Sequence, residues 1–223
     1  MGCTSRDTSN RPLQHVERAE KVELGVYTAK DTGCHGKSLV IKYLDYADYN
    51  NIWIIPMSHA LIYGAVKLVW RLRLTGPSKG VPAAWCYLPK INRQIMADRA
   101  SHLTMTRDFG RSYRDIVDKH KQWTMEEWIH FVESWSPYIL ADLPKCGGPI
   151  LPDPRLRQMW TLLREATLHY VSATPGNGTL EEQQAAHDKL QQYAKLVEQH
   201  FGIRTCTYNL HLLVCRAADQ GRV

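Results

Sequence analysis

Two Thr-x-x-Glu boxes, Thr124 to Glu127 and Thr179 to Glu182, fix where two helices of this chain begin. In such a box the threonine side chain accepts from the backbone N–H three residues on, and the glutamate reaches back to the threonine N–H. Behind the first box the expected core face is Met125, Trp128, Ile129, Val132, Trp135 and Ile139, and Pro137 is expected to end or kink that helix near its last turn. Behind the second it is Ala186, Leu190, Tyr193, Val197 and Phe201. Between them Asp153-Pro154 opens another helix, with aspartate as N-cap and proline at the first position. Its face is Leu156, Met159, Trp160, Leu163, Ala166 and Tyr170, and a last helix is expected over about 207–219. Short connections between such helices predict an antiparallel bundle over 124–223.

The first half reads differently. Residues 1–21 are polar without periodicity and are expected to be poorly ordered. Residues 22–28, 38–43 and 51–55 are rich in β-branched and aromatic types and read as short strands. After Pro56 a helical pattern begins, with Ser58 as N-cap, and runs to about Leu74 before Gly76-Pro77 stops it. Residues 22–76 thus form a partial α/β region, and 77–123 a basic connecting region with one helix at about 90–103. The expected fold class is mainly α, a helical bundle with a small N-terminal β or irregular part.

A hydrophobic share of 44% and a charged share of 22% belong to a globular protein rather than a disordered one. No apolar run is long enough to span a bilayer, and the first ten residues lack the apolar core of a secretory signal. The expected location is nuclear or cytoplasmic, not secreted, and away from membranes. The six cysteines form no CxxC pair and are expected to be free buried thiols. The net charge of +6 is unevenly spread: 67–121 carry 12 Lys/Arg against four Asp/Glu, whereas 122–200 carry six against ten. A basic block beside an acidic one suits a polyanion-facing surface, nucleic acid first among them.

Local candidates for chemistry are few. His211 and Cys215 have the four-residue spacing of two metal ligands on one helix face, but nothing supplies the other ligands. Cys34-His35 are adjacent, so their side chains point apart and do not make a nucleophile–base pair. The segment Gly33 to Ser38 lacks the gap between glycines that a phosphate-binding loop needs. Trp123, Trp128, Trp135 and Trp160 fall at core spacing and are packing residues.

Three segments taken in order resemble a known family. TGCHGKSLVIKYLDY followed by PMSHALIYGAVKLVW resembles the central part of transposases of the CACTA type and their domesticated relatives. KQWTMEEWIHFVESWSPYIL is similar to their Lys-x-x-(Ser/Thr)-x-(Asp/Glu)-Trp helix, and YAKLVEQHFGIRTCTYNLHLLVCRAADQGRV to their Tyr-Asn-x-His-Leu-Leu segment. The resemblance covers about 30–223. It implies an RNase H-like α/β sheet, present here as a remnant, interrupted by a large helical insertion. It also implies three carboxylates holding two Mg²⁺ ions that cut and join DNA.

Aligned on that pattern, His59 matches the family histidine, Lys67 its helix lysine, and Asn209 and His211 its Tyr-Asn-x-His segment. The second family acid falls on Pro56, which offers no side-chain oxygen, and the third is expected beyond Val223, as in a fragment of something longer. Asp45 and Asp48 are speculative substitutes for the second. The expected protein is therefore a catalytically inactive transposase-derived fragment that needs no cofactor, with Mg²⁺ relevant only if activity survives. Its expected partner is DNA, held through phosphates by Lys67, Arg71, Arg73, Arg93, Arg107, Arg111 and Arg114, and an oligomer is compatible. The competing expectations are a helical protein-interaction or assembly module and, more weakly, an Mg²⁺-dependent nuclease.

Overall fold

A computed structural model of the chain describes residues 11–32, 35–36, 58–75, 87–104, 114–172, 178–202 and 205–216. Of the described residues 77% are helical and none lies in a strand; the RNase H-like sheet is not supported. The chain divides into two compact units, Ser5–Ile55 and the remainder. No helix among the described residues is long and apolar enough to cross a membrane.

In the smaller unit, α1 (Arg11–Glu23) is followed by the single turn α2 (Ala29–Thr32). Residues 11–21, expected to be poorly ordered, are thus helical. Apolar residues stand three apart at Leu13, Val16, Ala19 and Val22, and Ala19 is buried. The strand expected at 22–28 is corrected too, because Val22 and Glu23 close α1. Gly25, at φ 72°, takes the left-handed position just past the helix. Its N–H donates to the Val22 carbonyl (3.0 Å) and the Val26 N–H to that of Lys21 (2.8 Å), the paired bonds of a Schellman ending. The strands expected at 38–43 and 51–55 lie outside the described residues.

The larger unit begins with α3, wound as a π-helix over Ser58–Val66 and as an α-helix over Lys67–Thr75. Next come α4 (Lys90–Ser101), the short α5 (Ile116–Lys119) with a 3₁₀ turn at His120–Gln122, and α6. Helix α6 is continuous through Met125–His130, a π segment Phe131–Trp135, and Ser136–Ile139. The unit closes with α7 (Pro154–Ser172), α8 (Leu180–Phe201) and α9 (Tyr208–Arg216). Helix α8 packs along α7, α9 lies on the π segment of α3, and α7 lies on the π segment of α6. Both capping boxes form as expected: Thr124 and Thr179 accept from the Glu127 and Glu182 N–H groups, and both glutamates reach back. Ser58, expected as an N-cap, is itself the first residue of the π-helix.

Both π segments have a visible purpose in packing. Along α3 the buried residues include two full rows of strict four-residue spacing, Leu61-Ala65-Val69-Arg73 and Ile62-Val66-Trp70-Leu74, with Ala60 and Gly64 buried beside them. Along α6 the rows are Glu127-Phe131-Trp135-Ile139 and Trp128-Val132-Ser136. In an α-helix of 3.6 residues per turn, steps of four overshoot the turn and the row drifts around the axis. A π-helix closes its hydrogen bonds five residues back and is wound more loosely, so the same steps drift the other way. Joining the two windings keeps each row against the core.

The winding of α6 also answers Pro137, which lacks the N–H that would bond the Glu133 carbonyl. The α7 residue Arg164 takes the loosened carbonyls instead, Nε to Val132 O at 2.8 Å and Nη2 to Glu133 O at 3.1 Å. The helix therefore runs past Pro137, where it was expected to end or kink, and stops two residues later at Ile139.

The described tryptophans, Trp70, Trp123, Trp128, Trp135 and Trp160, are core residues. Trp70 meets Phe131 and Trp160 edge-to-face, with centroids 5.1 and 5.3 Å apart. Trp123 meets Trp128 and Trp135 in the same way at 5.0 and 5.7 Å. Such pairs add about 0.5–1.5 kcal/mol each beyond the area they bury. Phe131, absent from the expected core face of α6, is fully buried, whereas Met125, expected inside, is 36% exposed.

Candidate basic and aromatic surface of helix α3

Beside the buried rows of α3 runs another of the same spacing, His59, Tyr63, Lys67 and Arg71. His59 and Arg71 are exposed, and Tyr63 and Lys67 are half-buried. The π-to-α change of winding that aligns the core rows aligns this one as well. The His59 ring meets Tyr63 edge-on with centroids 5.9 Å apart, and Lys67 Nζ lies 5.0 Å from the Tyr63 ring centroid. Tyr63, Lys67, Leu68 and Arg71 line an open cleft of about 320 Å³. An apolar floor from Tyr63 and Leu68 is thus edged by two cations.

The back of the same segment is tightly held. A Cβ at Gly64 would stand 2.5 Å from Asn209 Cβ, so α9 approaches the π-helix at a distance that only glycine permits. Leu210 and Leu213 of α9 are buried. The segment carrying His59 and the segment Tyr208 to His211 therefore meet at Gly64.

The other cations singled out from the sequence have different surroundings. Arg73 is only 1% exposed, in the core row behind Val69; its guanidinium stands 5.2 Å from the Trp70 ring, and Nη2 is 3.5 Å from the Leu156 carbonyl. That placement takes it off the surface. Arg93 donates from Nη1 to the Leu74 carbonyl at 3.2 Å, tying α4 to the end of α3. Arg114 makes a two-pronged contact with Glu127, Nε to Oε1 and Nη2 to Oε2, and Nη2 also donates to the Gln122 carbonyl. Contact with Glu127 holds the Arg114 guanidinium above its ordinary pKa. These three arginines are built into the fold; Lys67 and Arg71 lie one turn apart on α3, half-buried and exposed respectively. Arg107 and Arg111 lie outside the described residues, as do Asp45, Asp48 and Pro56.

Of the metal candidates, His211 is half-buried, and the Cys215 side chain lies outside the described set, as does Cys34. Among the described residues no group of three or more His, Cys, Asp or Glu side chains is placed to hold a metal ion. Cys146 and Cys206 are free thiols, exposed and half-buried respectively, where buried ones were expected.

Tyr63 is the member of the surface row that the sequence reading passed over. Its signal was present: it lies four residues from His59 and four from Lys67. Searches against family models, curated proteins and solved structures return no match for this chain.

Proposed function

We propose that this chain is a nucleic-acid-binding protein derived from a CACTA-like transposase, with proline in place of the family's second catalytic carboxylate. The observation that carries the binding reading is the row His59, Tyr63, Lys67 and Arg71, a cationic and aromatic strip along one rigid helix. Two cations one helical turn apart match the repeat of charge along a phosphate backbone, and a strip on a packed helix loses little entropy when it docks. The contact of the Tyr208 to His211 segment with Gly64 is compatible with the family reading, since two of its landmarks become neighbours. Proline at position 56, where the family has an acid, argues for binding without cleavage.

A filter-binding titration with a DNA duplex tests the reading. With two phosphates engaged, affinity should fall about tenfold between 50 and 200 mM salt. The double substitution Lys67→Gln with Arg71→Gln should abolish most of that dependence. An affinity indifferent to salt, or no binding at low salt, overturns the reading.

A further inference from the structure

Resting on that reading, we infer that the α3 strip is built for an unpaired strand rather than a duplex. A site made only for duplex phosphates needs cations and little else, because the bases are stacked inside and only their edges are available. The α3 cleft has more than cations. Its lining combines the Tyr63 ring and the Leu68 side chain with Lys67 and Arg71 along one open face of the helix, where a base can approach. Non-specific single-strand sites pair a charged track with an aromatic platform in this way, since every base has a π face.

The geometry fixes the roles. Lys67 Nζ stands over the Tyr63 ring, 5.0 Å from its centroid, so a base that stacks there takes the place of the ammonium, which shifts to the neighbouring phosphate. Arg71, one turn further along the exposed row, serves the next phosphate of the strand. His59 meets the tyrosine in an edge-type contact with centroids 5.9 Å apart and so helps to hold the ring in place. Tyr63 is half-buried at the junction of packed rows, so its ring is oriented before a base arrives.

The test is a fluorescence-anisotropy titration of the full chain with labelled oligo-dT of about 12 nucleotides, oligo-rU of the same length and a duplex of the same length. At equal salt either single strand should bind at least about fivefold tighter than the duplex, and the two single strands tell DNA from RNA as the natural source. Tyr63→Leu, which keeps apolar volume in the helix, should weaken single-strand binding about tenfold and so remove most of the preference over duplex, whereas Tyr63→Phe should keep wild-type preference. Circular dichroism of each variant checks that the helices are intact. Equal affinity for single strand and duplex, or an unaltered preference in Tyr63→Leu, overturns this inference while leaving the nucleic-acid reading intact. Absence of binding to all three probes overturns both.

Discussion

Glu127 shows how one residue is pulled in opposite directions. Burial pushes its carboxyl up, but the hydrogen bond from Arg114 and those from the Thr124 N–H and hydroxyl together bring it below its ordinary value. Because the folded pKa is depressed, the resulting stability is fully present above the unfolded value of 4.5 and is lost as pH falls through the folded one. Glu182 is lowered by its Thr179 bonds, and Asp153 is held at about 2 chiefly by Arg155, so acid weakens all three in the same sense. Glu127→Gln should therefore cost about 1–2 kcal/mol at pH 7 by urea unfolding, and the gap to wild type should close as pH falls below 4.5. Arg73 carries a second lesson at this scale. Its charge suggested the surface, but its position four residues after Val69 put it in a core row, where its guanidinium sits beside Trp70.

Helices α3 and α6 depend on steps of four along the chain. The sequence shows those steps, and it also shows that Lys67 and Arg71 share a face. It does not show that a π segment would hold three successive steps in line, because π winding is chosen by what packs against the helix. Gly64 marks the tightest such contact. Gly64→Ala should push α9 from the π segment and cost about 1–3 kcal/mol, measured by chemical denaturation. Since the contact is with Asn209 Cβ, adding Asn209→Gly should recover part of that loss, which a double-mutant cycle will detect. The same helix carries the binding prediction, in which Tyr63→Leu removes most of the preference for single strand over duplex.

In the larger unit, long-range closure runs through Arg99, which is 3% exposed. Its guanidinium donates to four carbonyls, Ile139 (3.0 Å), Ala141 (2.7 Å), Cys146 (2.9 Å) and Gly148 (2.6 Å), and so holds the turn between α6 and α7 against α4. Asn92 on the same helix donates to the Pro149 and Ile150 carbonyls at 3.2 and 2.9 Å. A lysine keeps the charge but not the fork, and leaves buried carbonyls unmet. Arg99→Lys should cost about 3 kcal/mol and lower Tm by about 6–12 °C in a calorimetric scan.

The helix starts at Thr124, Pro154 and Thr179 and the core faces of α7 and α8 were determined by the sequence itself, because capping and apolar spacing act within a few residues of the chain. The strand expected at 22–28 failed because a glycine that can adopt positive φ ends a helix as readily as it bounds a strand, and the neighbouring residues do not distinguish the two. Only the tertiary structure decided the rest: which arginines are spent on carbonyls and carboxylates, where helices unwind to π geometry, and that Tyr63 joins Lys67 and Arg71 at one surface cleft. Those outcomes depend on which side chains arrive from distant segments, and a buried cation or a loosened helix turn is stable only once its partners are in place.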